Sequence, residues 1–199
     1  MFALVDCNNF YVSCERVFDP SLENCPVAVL SNNDGCVISR SNELKQLNIK
    51  MGMPFFQLKP LLKTYKITAR SSNYELYGDM SRRVMTILGD FSPEVEPYSI
   101  DEAFLHLMMT KRTNYLRLAK DICSRVFKWT GLPVGVGIAP TKTLAKIANH
   151  VGKKLPEGVF VMPKDTSNIL DNLPLIEVWG IGRRLAVKLE RLGIHSAGQ

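Results

Sequence analysis

Apolar positions along the chain recur with two periods, and the switches between them mark out its elements. Residues 2–6 ("FALVD") are a short apolar run of strand length. Residues 10–18 ("FYVSCERVF") place Phe10, Cys14, Val17 and Phe18 at helical spacing before Pro20 stops the pattern. In residues 27–39 ("VAVLSNNDGCVIS") two β-rich apolar runs flank Asn-Asp-Gly, residue types that tolerate positive φ, and a hairpin is predicted. "SNELKQL" predicts a short helix before Gly52, "PFFQLKPLLKTY" a helix broken near Pro60, and residues 66–70 ("KITAR") a strand.

The rest of the chain is more regular. Residues 73–91 keep a long helical period, with Ser72 or Asn73 as the cap and Ser92-Pro93 as the stop. Strands are predicted at 94–99 and 102–108, a helix near 113–130, and a Val- and Gly-rich strand at 133–139. Thr141 then caps a helix in "KTLAKIANHVGKK". With residues 10–72 set aside as an insertion, the order is β, helix, β, β, helix, β. That is the split βαβ order of a ferredoxin-like α+β fold. "KLPEGVFVMPKD" reads as a connector, and residues 173–194 as helix, Gly-containing hairpin, helix. No internal repeat or low-complexity segment interrupts this order.

Composition narrows the picture. A chain of 199 residues with 46% hydrophobic content can bury a core as one domain or two small ones. The net charge of +6 favours an anionic partner, and residues 142–199 hold nine Lys/Arg against five Asp/Glu; a solvated basic face would give the same balance. The five cysteines are odd in number and show no C-x-x-C spacing, so reduced thiols are expected rather than a disulfide framework or a zinc site. The first residues lack the basic start and apolar run of a signal peptide, and no apolar run reaches membrane-spanning length. A cytoplasmic protein with no membrane partner is the expectation.

One stretch carries chemistry. "EVEPYSIDEAFLHL" sets Asp101 beside Glu102 inside a segment otherwise patterned as buried strand. In a ferredoxin-like sheet the first and third strands are the central pair, so Asp6 would meet this segment although 95 residues separate it from Asp101. Consecutive strand residues face opposite ways, so Asp101 and Glu102 can share a site only if the chain bends there. Three carboxylates with no lysine or arginine in their own segments need protons or cations to compensate them. Oxygen ligands suit Mg²⁺ or Mn²⁺, and two such ions about 3.5–4 Å apart serve in-line phosphoryl displacement. The alternative is one carboxylate exposed beyond a turn and another paired with a distant basic residue. "GVGIAPT" lacks the third glycine of a dinucleotide fingerprint and lies in a strand, which rules that reading out. His106, His150 and His195 show no ligand spacing.

Six segments, "DCNNFYVSCE", "SNNDGCVI", "SSNYELYGDMSRRV", "YSIDEAF", "VGVGIAPTKTLAKIANH" and "VWGIGRRL", together and in this order resemble the Y-family translesion DNA polymerases. The likeness is to the UmuC-like branch, the catalytic-subunit type of bacterial SOS-mutagenesis polymerase. It implies a palm from residues 1–10 and 72–163, fingers from 11–71, and a partial thumb with a helix-hairpin-helix from 164–199. The little finger domain of the family would be absent.

By that resemblance Asp6 and Asp101 bridge two Mg²⁺ ions (Mn²⁺ as the alternative), Glu102 is the third ligand, and the Cys7 carbonyl holds the nucleotide-bound metal. A primer 3′-hydroxyl would attack the α-phosphate of a deoxynucleoside triphosphate. Phe10 and Tyr11 match the aromatic pair at the sugar, with Tyr11 as the gate against a ribose 2′-OH; apart from the motif, Tyr11 reads as a core aromatic opening a helix. Backbone N–H groups from Asn8 to Tyr11 would receive phosphate oxygens. Lys153 matches the triphosphate contact, though a lone lysine also reads as solvated surface. Where the commoner family pattern has a Tyr and an Arg three residues apart, this chain has Asn42 and Lys45, which lacks the guanidinium fork; Ser39 and Arg40 are possible substitutes. Gly180, Gly182, Arg183 and Arg184, with Lys188, would contact DNA phosphates, a plain helix-to-helix turn being the alternative. Thr141 and Lys142 have no assigned role. The partners implied are damaged primer-template DNA and deoxynucleoside triphosphates, and for the longer family members a UmuD-like subunit, RecA and the sliding clamp. A non-catalytic DNA- or partner-binding remnant remains the second reading; a cyclase-like nucleotidyl transferase is disfavoured by the Gly-hairpin tail.

Overall fold

The computed structural model describes residues 1–108 and 113–199. The chain begins with β1 (Phe2–Cys7) and α1 (Phe10–Phe18), then β2 (Val27–Leu30), β3 (Val37–Arg40), α2 (Asn42–Gln46), α3 (Phe55–Leu58), α4 (Leu61–Thr64) and β4 (Thr68–Ser71). It continues with α5 (Tyr74–Gly89), β5 (Val95–Pro97), β6 (Glu102–His106), α6 (Tyr115–Thr130), β7 (Val134–Ala139) and α7 (Lys142–Gly152). Last come β8 (Val159–Val161), α8 (Ser167–Asp171) and α9 (Arg183–Arg191).

Two sheets form. The larger runs β5-β6-β1-β7-β8, so its first four strands have the ferredoxin-like order with β1 and β6 central. The smaller, β3-β2-β4, is built from the predicted insertion. Its β2–β3 hairpin turns through Asn33 and Asp34 at φ 58° and 52°, the left-handed backbone that these residue types tolerate. Pro60 separates α3 from α4, and the helices beginning at Tyr74, Tyr115 and Lys142 are capped by the side chains of Asn73, Asn114 and Thr141.

Alternation along the strands sorts side chains onto two faces of the larger sheet. Ala3, Val5 and Cys7 of β1, with Val134, Val136 and Ile138 of β7, join the buried residues of α5 and α6 in one apolar cluster. Leu4 and Phe104 face the other way and pack with Ala145, Ile147 and Ala148 of α7. The helix lies directly on β7: a Cβ on Gly137 would come within 2.1 Å of the Asn149 backbone nitrogen, so no other residue fits there.

Two segments differ from expectation. The predicted connector contains β8, which extends the sheet parallel to β7 because Val159–Val161 can complete a strand-helix-strand unit once Gly158 has turned at φ 68°. In the tail, the helical segment ahead of the glycines falls at α8. Leu175–Glu177 is only a single 3-10 turn after Pro174, whose extended backbone breaks the run predicted from residue 173. Among the described residues no helix is long and apolar enough to cross a membrane.

Candidate active site

The period-2 pattern that sends Phe2 and Leu4 toward α7 sends Asp6 the same way. Asp6 is in register with Glu102, as Leu4 is with Phe104, so the two carboxylates are cross-strand neighbours on the α7 face. Asp101 lies outside the strand. The chain bends through residues 99–101, where the N–H groups of Tyr98 and Ser99 both donate to the Glu102 carbonyl, at 2.9 and 3.1 Å. The Ser99 hydroxyl accepts from the Glu102 N–H at 3.1 Å and donates to Asp101 Oδ1 at 2.7 Å. The N–H of Cys7 donates to the Asp101 carbonyl at 2.9 Å and ties the end of β1 to this bend. The bend therefore releases Asp101 and Glu102 from strict alternation.

The carboxylates do not lack basic partners. Lys142, Lys146, Asn149 and Lys153 follow one another at helical spacing along α7 and its C-cap, and this stripe faces the sheet's acids. Lys153 Nζ lies 2.6 Å from Asp6 Oδ2, Lys146 Nζ lies 3.0 and 3.2 Å from the two Glu102 oxygens, and Lys142 Nζ lies 2.5 Å from Glu96. Sequence reasoning named Lys153 only as a triphosphate contact and left a distant basic partner unidentified, because it looked for partners within the acidic segments; Asp6 and Lys153 are 147 residues apart. The spacing of the lysines on a capped amphipathic helix was the available signal. Burial pushes Asp6 up to about 7, against the pull of the Lys153 charge and hydrogen bond, and the adjacent Glu102 adds to the rise.

A cleft of about 400 Å³ opens beside Asp6 between the larger sheet and the inserted subdomain. Among its lining residues are Asp6, Cys7, Phe10, Tyr11, Ser39, Lys45, Asp101 and Lys153, together with Asn9, Ile38, Arg40 and Met51. Met51 and Ile38 were not anticipated. Glu102 sits behind this wall, next to Asp6.

The individual side chains are differently committed. Phe10 is buried in the core, whereas Tyr11 is half-buried and stacks on Tyr77 with ring centroids 4.5 Å apart. Burial raises the Tyr11 phenol above its ordinary range and does the same to the Cys7 thiol. Asn9 adopts a left-handed backbone at φ 50° and its side chain does not cap α1. It instead accepts from Lys45 Nζ at 2.6 Å and donates to Asn42 at 3.0 Å, so Asn42 and Lys45 both reach the start of that helix. Burial, then the charges of Arg40 and Lys153, lower the Lys45 pKa.

Three expectations change in detail. The Asn8 N–H donates to the Pro133 carbonyl at 2.8 Å, which takes it out of the row of amides expected to meet phosphate. Buried Ser39 accepts from the Val12 N–H at 3.4 Å and so braces α1. Arg40 donates to the Ile49 carbonyl, and its buried Nε has no partner. Gly180, Gly182, Arg183 and Arg184 lie apart from the cleft lining, at the turn into α9, where Gly180 takes φ 91° and Gly182 is the N-cap.

Among the described residues no group of three acidic, histidine or cysteine side chains is gathered as a ready metal cage. The donor set nevertheless fits a hard divalent cation. It offers only oxygens, and the most buried of its carboxylates, raised by that burial, needs positive charge beside it to stay ionised.

Comparison with known proteins gives a consistent result. The model of the impB/mucB/samB family matches residues 5–150, and that of the "IMS family HHH motif" matches residues 163–194. The chain is 51% identical over 207 residues to protein UmuC of Salmonella typhimurium, covering 99% of this chain and 48% of that one. It is 50% identical over 206 residues to protein ImpB of Salmonella typhimurium, covering 100% of this chain and 49% of that one. The fold superposes on an insertion ternary complex of Dbh DNA polymerase with a TM-score of 0.86 at 30% identity, covering 98% of this chain and 59% of that one. The chain thus spans about half the length of the curated relatives it matches. With most of its residues matched by the family model, and an architecture shared with a solved polymerase, the chain belongs to the impB/mucB/samB family.

Proposed function

We propose that the chain is the catalytic half of a template-directed, error-prone DNA polymerase that extends primers past damage by two-metal nucleotidyl transfer. One observation carries this reading: Asp6 and Asp101, with Glu102 paired to Asp6 across the strands, meet at a cleft that also presents Tyr11, Lys45 and Lys153. The Dbh protein, to which the chain is similar in sequence and fold, is named a DNA polymerase. The palm is assigned to residues 1–10 and 72–163, the fingers to 11–71 and a partial thumb to 164–199.

The residues divide the work. Asp6, Asp101, Glu102 and the Cys7 carbonyl would hold two Mg²⁺ ions, with Mn²⁺ an alternative, and these supply an acidified primer hydroxyl and neutralise the pyrophosphate leaving group. Lys153, at the C-cap of α7, and Lys45, on α2 of the inserted subdomain, both line the cleft and bind the triphosphate tail. The Phe10 and Tyr11 amides, which no side chain caps, add donors at the start of a nine-residue helix. The Tyr11 ring, braced on Tyr77, closes the space that a ribose 2′-OH would need. Gly180, Gly182, Arg183 and Arg184 hold DNA phosphates, while Ser39 supports α1 from beneath. Damaged primer-template DNA and deoxynucleoside triphosphates are the substrates. A UmuD-like subunit, RecA and the sliding clamp are partners of the whole protein, in the bacterial cytoplasm.

Single-nucleotide incorporation on a primer-template at low salt with Mg²⁺ tests the assignment. Asp101→Ala is expected to reduce incorporation by at least about a thousandfold, the scale of losing preorganised charge stabilisation, with a melting temperature close to wild type. Near-normal incorporation by this variant would overturn the metal assignment.

A further inference from the structure

Lys146 has no task in the nucleotidyl transfer just described, yet it grips one of its carboxylates more completely than any other basic residue in the site. Its ammonium contacts both Glu102 oxygens, at 3.0 and 3.2 Å, and the two side chains are only 18% and 19% exposed. The ammonium is also held from behind. It lies 4.4 Å from the centroid of the Tyr98 ring and 5.6 Å from that of Trp179. These two rings are themselves locked: Trp179 Nε1 donates to the Tyr98 hydroxyl at 3.0 Å and the rings meet edge to face at 5.3 Å. Trp179 belongs to the segment after β8, just before Gly180, and it also packs on Phe104 of β6. A lysine of α7 is thus fixed between a palm carboxylate and an aromatic cage completed by the tail.

We propose that Lys146 is a positioning residue, a resident counter-ion that neutralises Glu102 until a divalent cation displaces it, and that the Tyr98–Trp179 cage sets how readily it yields. The inference rests on the metal-site reading above. Its physical basis is competition for the same oxygens. A desolvated ammonium in contact with a carboxylate repels an arriving cation strongly, because little water screens them, and cation–π contacts stabilise the ammonium where it stands. Lys153 does the same for Asp6, but it also lines the nucleotide cleft. Lys146 does not, so its effect can be separated from nucleotide binding. Because Trp179 comes from the tail, movement of that segment changes the affinity of the carboxylates for metal, and metal binding must shift the tail in return.

Electron paramagnetic resonance of free Mn²⁺, titrated into the chain without DNA or nucleotide at fixed ionic strength, reads the affinity directly. Lys146→Met is expected to bind Mn²⁺ about tenfold tighter than wild type, and Lys146→Arg to bind like wild type. Trp179→Ala, which opens the cage without touching Glu102, is expected to tighten binding about two- to threefold, and Trp179→Phe to restore the wild-type value. If Lys146→Met folds poorly, the two Trp179 variants carry the same test. Unchanged or weaker binding in both Lys146→Met and Trp179→Ala, with wild-type binding intact and abolished by Asp6→Asn, would overturn the counter-ion role and leave the metal site standing. Absence of Mn²⁺ binding in wild type and Lys146→Met alike would overturn both.

Discussion

The two faces of the five-stranded sheet are made from alternate residues of the same strands, yet they are stabilised in different ways. On the α5/α6 face every inward residue of β1 is apolar, and Val5, Val136, Ile122 and Leu105 belong to one apolar cluster. On the α7 face the apolar contacts stop at Leu4 and Phe104, and the next positions outward are Asp6 and Glu102, balanced by lysines. The first face stabilises by removing surface from water. The second places charge where burial makes charge costly, a cost tolerated because α5 and α6 hold the strands regardless. The fold can therefore lose the charged side chains at the Asp6–Glu102 end of the α7 face and keep its shape, whereas the apolar contacts of either face have no such freedom.

Deletions on the apolar face should have the largest effect on stability. Ile122 is fully buried in α6, and Ile122→Ala should cost about 2–5 kcal/mol, the usual range for emptying such a site. The measurement is a denaturant midpoint at unchanged slope, with Mn²⁺ affinity of the folded protein unaltered. A loss under about 1 kcal/mol would mean that the cluster is loosely packed and that the contrast between the faces is overstated.

The same contrast explains what was legible in the sequence. Apolar periodicity is a property of neighbouring residues, so β1, the central strands and the capped helices at Asn73, Asn114 and Thr141 follow from local pattern alone. Asp6 and Asp101 could be brought together because the ferredoxin-like order makes their strands neighbours. What escaped was long-range or very short. β8 has only three residues and takes its identity from pairing with β7, and the three Lys–acid pairs of α7 form only when the helix lies down on the sheet. Family resemblance pointed to Lys153 as a triphosphate contact, but nothing in its segment pointed to its hydrogen bond with Asp6.

An intermediate effect is expected from pH acting on the charged face. The folded-state pKa of Asp6, about 7, lies above the ordinary aspartate value of 3.8, chiefly through burial. The folded protein therefore binds the proton more tightly than the unfolded chain does. The stabilisation this gives is complete below about pH 4 and is lost as pH rises through about 7. Asp6→Asn cannot ionise, so relative to this variant wild type should lose stability between about pH 4 and pH 8, by up to about 4 kcal/mol. Melting curves of both proteins across that range check the prediction. A constant difference would show that Lys153 keeps Asp6 ionised throughout, and that the α7 face costs the fold nothing.

The smallest effect should come from the outer end of the lysine stripe. Lys142 sits one helical turn before Lys146 and makes the same kind of contact, to Glu96 at 2.5 Å, with the rings of Phe2 and Phe104 at 5.8 and 5.5 Å. It differs in burial: the Lys142 and Glu96 side chains are 33% and 59% exposed, against 18% and 19% for Lys146 and Glu102. Water and salt screen the outer pair, so Lys142→Ala should change stability by no more than about 0–1 kcal/mol. It should also leave Mn²⁺ affinity unchanged, because Glu96 lies on the edge strand, one strand out from Glu102. Parallel titrations of Lys142→Ala and Lys146→Met at two ionic strengths decide the point. If both variants tighten Mn²⁺ binding equally and both gains vanish in salt, the stripe acts through its summed field, and contact with Glu102 is not what distinguishes Lys146. If only Lys146→Met tightens binding and the gain survives in salt, burial separates a counter-ion of the site from a lysine of the surface.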